Sequence, residues 1–200
     1  MSGSKEAISF LLQMNFQDII HSIHPISEDA SKLLFENIEE VSFPKGHLLF
    51  RADKIEPNLY FIKKGIVRAY SDTEENEITF WFGKEGDLVI SMRSYIENQK
   101  GYENIEVLED TTLYELNALK LQDLFEHHIE IANWGRKLAE KELIKTEELF
   151  ISRQFKSASE RYSELLKQNP ELIKRVQLGH IASYLGITQV SLSRIRAEIR

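Results

Sequence analysis

The chain has 200 residues, 42% of them hydrophobic and 10% aromatic, with a net charge of -7 and no cysteine. Such a composition specifies a globular protein with a real core, in one large or two small domains. The missing cysteines exclude disulfides, thiolate zinc sites, cysteine-ligated iron–sulfur clusters and a cysteine nucleophile.

Residues 4 to 40 read as mostly helical. EAISFLLQMNFQDII repeats apolar positions three and four apart, and SEDASKLLFENI opens on Ser27, a suitable N-cap. From Val41 to about Leu116 the pattern changes to short β-prone runs: HLLF, LYFI, IVRAY, EITFWF, NIEVL and TLYEL. Turn signals such as FPKG, KKG, FGKEGD and EDTT separate them. Regular short strands with glycine punctuation predict an antiparallel barrel or jelly roll. Helical character then returns in NALKLQDLFEHH and a long helix over about 128–151. Ile131, Trp134, Leu138, Leu143, Ile144, Phe150 and Ile151 form a broad apolar stripe on that helix. One reading packs this stripe on the chain's own barrel; the other shares it with a second subunit, and the two are compatible. The expected fold is α+β: N-terminal helices, an antiparallel β-roll, a long dimerisation helix and a C-terminal helix-turn-helix. The expected division is residues 1–151 and 152–200.

Charge supports that division. From Ser152 to Arg200 there are nine Lys/Arg against four Glu, whereas the remainder has 16 basic against 28 acidic residues. A basic end on an acidic body is the footprint of a nucleic-acid-binding segment. Within it, GHIASYLGITQVSLSRIR reads as two short helices around a glycine. Ile181, Leu185, Leu192 and Ile195 are the positions to bury, and Ala182 is small enough for the helices to cross closely. Gly186 sits where the turn requires a positive φ, and Thr188 is the N-cap of the second helix. Gln189, Val190, Ser193, Arg194 and Ala197 then face outward. Arg194 suits guanine, Gln189 adenine or a phosphate, and Val190 a thymine methyl; Ser191 and Arg196 suit phosphates or packing. The plain alternative is a structural helical hairpin.

In order and content these segments resemble the Crp/Fnr family of bacterial transcription regulators. FPKGHLLFRADKIEPNLYFIKKGIVRAY is similar to that family's opening β-roll motif, with Pro44, Gly46, Leu59, Tyr60, Phe61 and Gly65 in the expected pattern. RYSELLKQNPELIKRVQLGHIASYLGITQVSLSRIR is similar to its DNA-binding half, especially in Bacteroidetes-type members. The resemblance implies a homodimer that binds a near-palindromic double-stranded DNA operator and acts on RNA polymerase, with no membrane partner. No run of about 18 apolar residues is present, and MSGSKEAISF lacks the regions of a secretory signal, so a cytoplasmic protein is expected.

Departures from the family pattern bear on the effector. Nucleotide-binding members carry a glycine-acid cassette followed by an arginine-serine pair that holds the cyclic phosphate. Here Gly86 and Asp87 keep the first part, but Glu103 and Asn104 stand where the arginine and serine belong, and a carboxylate repels phosphate. Arg93 is the one substitute cation nearby, and Thr146 falls where the long helix would face such a pocket. The family's frequent arginine-glutamate pair on the recognition helix is Gln189-Val190 here, whereas its later arginine is matched by Arg194. His21, His24, His47, His127, His128 and His180 show no ligand spacing, so no haem, metal or other cofactor is expected. The main expectation is a regulator unresponsive to cyclic AMP, with an unknown or absent small effector. The alternatives are a nucleotide-gated activator with a reshaped cassette and, more remotely, a cupin-like metalloenzyme. Against any enzyme, His47 stands alone on its strand, and no nucleophile elbow, P-loop or zincin motif occurs.

Overall fold

The computed structural model describes residues 13–74 and 76–199; the expected helical stretch before residue 13 lies outside them. Two helices open the described chain, α1 (Phe16–Ile23) and α2 (Glu28–Phe35). Asn15 caps the first, and Ser27 the second by accepting from the Ala30 N–H at 3.2 Å. Eight strands follow: β1 (Ile38–Phe43), β2 (Leu48–Phe50), β3 (Asn58–Lys64), β4 (Val67–Asp72), β5 (Glu77–Gly83), β6 (Leu88–Val89), β7 (Asn104–Val107) and β8 (Thr111–Asn117). A short helix, α3 (Met92–Glu97), lies between β6 and β7. The first strand starts at Ile38, three residues before the sequence pattern changes, because Ile38 to Phe43 pair in unbroken register with Leu116 to Thr111.

The strands form two four-stranded antiparallel sheets, ordered β1-β8-β3-β6 and β2-β7-β4-β5, as a jelly roll. Strand β3 is buried on both faces, which accounts for its uninterrupted apolar run. Tyr60 and Ile62 point into the roll with Phe50, Val67, Val107 and Leu113, while Leu59 and Phe61 point outward to the helices. At the turn to β4, Gly65 adopts φ 121°, and a Cβ there would collide with the Thr111 side chain.

After β8 come α4 (Ala118–His127) and the long α5 (Ile129–Phe155). Its first turns close the outer core: Ile131 and Trp134 are fully buried among Phe16, Ile20, Leu34 and Phe61, with Leu138 packed at the edge. The indole of Trp134 donates to the Ile20 carbonyl at 3.1 Å, and Glu130 accepts from the Ser27 hydroxyl at 2.7 Å. The second half of the helix leaves the roll, and Leu143, Ile144, Phe150, Ile151 and Phe155 are exposed. The remaining helices are α6 (Ala158–Gln168), α7 (Pro170–Arg175), α8 (Leu178–Tyr184) and α9 (Gln189–Glu198). Ser157 and Glu160 form a capping box that starts α6 two residues after α5 ends.

Trp134 joins the long helix to the roll, so Trp134→Ala is expected to cost about 3–5 kcal/mol of stability. Trp134→Phe, which keeps most of the ring and loses the hydrogen bond, is expected to cost about 1 kcal/mol. Both are read as a lower urea midpoint at unchanged slope.

Candidate nucleic-acid interface and effector pocket

The turn between α8 and α9 is built by main-chain bonds. The Gly186 N–H donates to Ser183 O and the Ile187 N–H to Ala182 O, both at 3.0 Å, with Gly186 at φ 68°. Thr188 caps α9 by accepting from the Ser191 N–H at 3.1 Å. Ile181, Ala182, Leu185 and Leu192 are buried with Tyr162, Leu165, Leu172 and Val176, and Ile195 packs against them. One face of α9 is left to solvent: Gln189, Val190, Ser193, Arg194 and Ala197 are exposed, Val190 at 63%. The Ser193 hydroxyl bonds back to Gln189 O at 3.0 Å, and the Thr188 and Ser191 hydroxyls bond each other. Arg196 is half-buried. Neither Arg194 nor Arg196 forms an ion pair with a described residue, in contrast to the basic residues that hold the domain together.

The opposite side of this unit is docked on the roll, and its centre is Arg68. This side chain is 3% exposed and is the second residue of β4. Its guanidinium pairs with Glu77 and with Glu106, each at 2.6 Å, covers the Tyr70 ring at 4.1 Å and reaches Thr79 at 3.3 Å. It also lies 2.7 Å from Nδ1 of His180 on α8. Arginine only donates, so Nδ1 must accept, and the imidazole is neutral with its proton on Nε2. Burial and the neighbouring guanidinium both hold the His180 pKa below its ordinary value. Around Arg68, Ser183 accepts from the Thr79 N–H and donates to Glu77 O, and Tyr184 packs on Phe82. Arg175 adds a second clamp, donating to Glu85 at 2.7 and 3.1 Å and pairing with Glu109. The sequence reading passed over Arg68; its signal was one arginine inside the apolar run GIVRAY, where a charge needs buried partners.

The effector-pocket residues fall into separate groups. Gly86 turns the chain between β5 and β6 at φ 90°, and its N–H is spent on Ile62 O at 2.8 Å. Asp87 accepts from the Lys84 N–H and pairs with Lys145 of α5 at 3.2 Å. Thr146, beside Lys145, is exposed and bonds back to Glu142 O. Glu103 immediately precedes β7 and Asn104 opens it, and both are buried. The Glu103 carboxylate, 6% exposed, accepts from the Tyr102 N–H, and Asn104 ties the Ala52 N–H to Asp72. A Cβ on Gly101 would lie 2.8 Å from the Ser91 hydroxyl and 3.0 Å from Glu103, so these three groups meet at one point. Ser91, which the sequence reading did not single out, is buried there with no hydrogen-bond partner among the described residues. Glu56 faces the same region, its pKa raised first by burial and also by Glu103. Arg93 turns elsewhere, to Gln99 at 2.8 Å and Glu97 at 3.8 Å. This cradle brings the Glu103 and Glu56 carboxylates together with the Ser91 hydroxyl. His47 stacks on Phe43, and no group of three metal-binding side chains occurs among the described residues. No helix of the described residues is long and apolar enough to cross a membrane.

Residues 40–128 match the model of the cyclic nucleotide-binding domain family. Among solved structures, the chain is similar to the c-di-GMP responsive global regulator CLP of Xanthomonas campestris, at 16% identity and TM-score 0.69, covering 86% of this chain and 91% of that one. It is similar to FixK2 from Bradyrhizobium japonicum at 20% identity and TM-score 0.68, covering 81% and 84%. It is also similar to a transcriptional regulator of the Crp/Fnr family from Eubacterium rectale at 20% identity and TM-score 0.68, covering 86% and 83%. No curated protein matches it significantly in sequence. The chain therefore carries a segment similar to the cyclic nucleotide-binding domain family and has the fold of the Crp/Fnr transcriptional regulators.

The Arg68 cluster makes docking of α8 dependent on charge. Arg68→Met is expected to cost about 3 kcal/mol, the low end for breaking a buried pair, because Glu77 is half exposed and regains water. Hydrogen exchange in α8 should accelerate. A His180 pKa lowered by docking means that the undocked state binds the proton more readily. Docking is therefore complete above about pH 6.5 and weakens as pH falls below it. The protection factors of α8 amides, which correct for the slower intrinsic exchange at low pH, should drop between about pH 7.5 and 5.5, and His180→Gln should flatten that drop.

Proposed function

We propose that this chain, built on the Crp/Fnr fold, is a cytoplasmic, homodimeric, sequence-specific DNA-binding transcription regulator that does not respond to cyclic AMP. The observation that carries this reading is the outward face of α9: a capped helix presenting Gln189, Val190, Ser193 and Arg194 to solvent, with Arg194 in no ion pair with a described residue. Laid in a major groove, Arg194 donates two hydrogen bonds to guanine, Gln189 reads adenine, and Val190 meets a thymine methyl. Thr188, Ser191, Ser193 and Arg196 lie along the phosphates and set the register. Dimerisation uses the second half of α5, where five large apolar side chains have no cover within the described chain. Two such helices side by side give the two-fold geometry that a near-palindromic operator requires. In this division residues 1–151 set the orientation and residues 152–200 bind DNA, and RNA polymerase is the downstream partner.

The buried Glu103 and its neighbour Glu56 support the absence of a cyclic-nucleotide response, because an anionic phosphate would meet two carboxylates in place of a guanidinium.

Selection from a random duplex pool should yield a near-palindromic site. On that site Arg194→Ala is expected to cost about 1–3 kcal/mol while leaving non-specific binding and folding unchanged; full retention of specific affinity would remove Arg194 from base reading. Calorimetric titration with cyclic AMP and cyclic GMP to millimolar concentration should give no saturable heat. Saturable heat would instead favour a nucleotide-gated activator with a reshaped cassette.

A further inference from the structure

A cleft of about 450 Å³ lies between the last turns of α5 and the helix α6, with Tyr184 of α8 at its floor. It belongs neither to the roll's effector pocket nor to the exposed face of α9. At about 100° per residue, most of its α5 lining (Lys145, Leu149, Ser152, Arg153, Lys156) falls on the side of the helix away from the exposed stripe centred on Leu143, Ile144 and Phe150, while Ile151 belongs to both. A dimer that covers the stripe therefore borders this cleft at Ile151 and leaves its Arg153 side open.

Its electrostatics are uneven. Four basic residues and two acidic ones, Glu148 and Glu164, line it. Lys145 and Lys156 are neutralised, the first by Asp87 and Glu142, the second by Glu164. Arg153 and Arg161 are not. Arg153 donates to the Phe80 carbonyl at 3.1 Å, and Arg161 donates to the carbonyls of Lys156 and Leu185 at 2.6 and 2.7 Å. Neither has a carboxylate partner among the described residues. Carbonyl acceptors fix the two guanidiniums in place without cancelling their charge. Both line the cleft beside Tyr184: Arg153 lies over its ring at 5.7 Å, and both arginines lower the phenol pKa against the rise that burial causes. Leu149 and Leu165 supply apolar wall beside them. The volume lies in the range of small-molecule sites, which runs from about 300 to 1,000 Å³.

We infer that this cleft binds a small organic anion, a phosphate or carboxylate carried on an apolar or flat body, with Arg153 and Arg161 holding the anion and Tyr184 the body. The two arginines sit on either side of the joint between α5 and α6, so one ligand bridges the long helix and the DNA-binding unit. An anion that meets both guanidiniums in only one relative orientation shifts the population toward it by its differential affinity. The cleft is thus the effector site of the regulator proposed above, and that last step rests on that reading.

Phenyl phosphate is the probe, titrated calorimetrically into the full chain with amide shifts followed by NMR. Saturable binding is expected, with shifts at residues 145–169 and 184, at least tenfold weaker for Arg153→Gln and unchanged for Arg136→Gln. Neutral benzyl alcohol should not saturate. Arg161→Gln, which also releases the turn at Leu185, is the second variant, and Arg153→Gln stands alone if it misfolds. No saturable heat, equal affinity in Arg153→Gln, or shifts confined to residues 86–104 would overturn the site. DNA affinity unchanged by saturating probe would overturn its effector role. Bound probe together with no specific DNA site at all would sink the regulator reading while the anion site stands.

Discussion

Arg68 is a full charge in the buried first four residues of β4, and a lone ion in that position would cost several kcal/mol. Glu77 on the neighbouring strand β5 and Glu106 on the other neighbour, β7, bring the compensating charge from both sides. His180 supplies a neutral acceptor from a helix more than a hundred residues away in sequence. Remove any of these and a buried donor or charge is stranded, so the pairing of three strands and the seating of the helix-turn-helix are one electrostatic problem. The apolar contacts of Ile66, Phe82 and Leu108 with the same helical unit give area but little direction. It is the fork of the guanidinium that fixes which residue of α8 sits over β4.

The long helix serves two bodies with one element. Its first turns are part of the roll, through Ile131, Trp134 and the indole bond to Ile20. Its last turns touch the roll chiefly through polar contacts, Lys145 to Asp87 and Arg153 to Phe80 O, and leave large apolar side chains uncovered. A motion of this half relative to the roll therefore breaks ion pairs and hydrogen bonds that water can replace, rather than a packed core. The cleft beside Arg153 and Arg161 sits at that joint.

The region around Gly86 and β7 combines the architecture of the roll with an unusual set of polar groups. The turn at Gly86 and the burial of β7 are architectural, yet the polar groups between them are Glu103, Glu56 and an unpartnered Ser91 hydroxyl. Such a cluster repels an anion and favours donors or neutral groups.

Much of this was legible in the chain itself. The short β-prone runs with glycine punctuation after Val41 specified the roll, and Gly186, Thr188 and the spacing of Ile181, Leu185 and Leu192 specified the helical hairpin, because these signals are local and depend only on backbone geometry. The split in the apolar stripe of α5 was not legible: Trp134 and Phe150 look alike in sequence, and only the packing of α1 and α2 covers one of them. Nor could spacing show that Arg93 turns to Gln99, that Ser91 meets Glu103, or that Arg68 finds His180. The last joins segments 112 residues apart, and the other two depend on how the chain folds back between β6 and β7. Periodicity carries which face is buried; the partner of a buried charge is decided only when the whole fold brings the strands and the helix together.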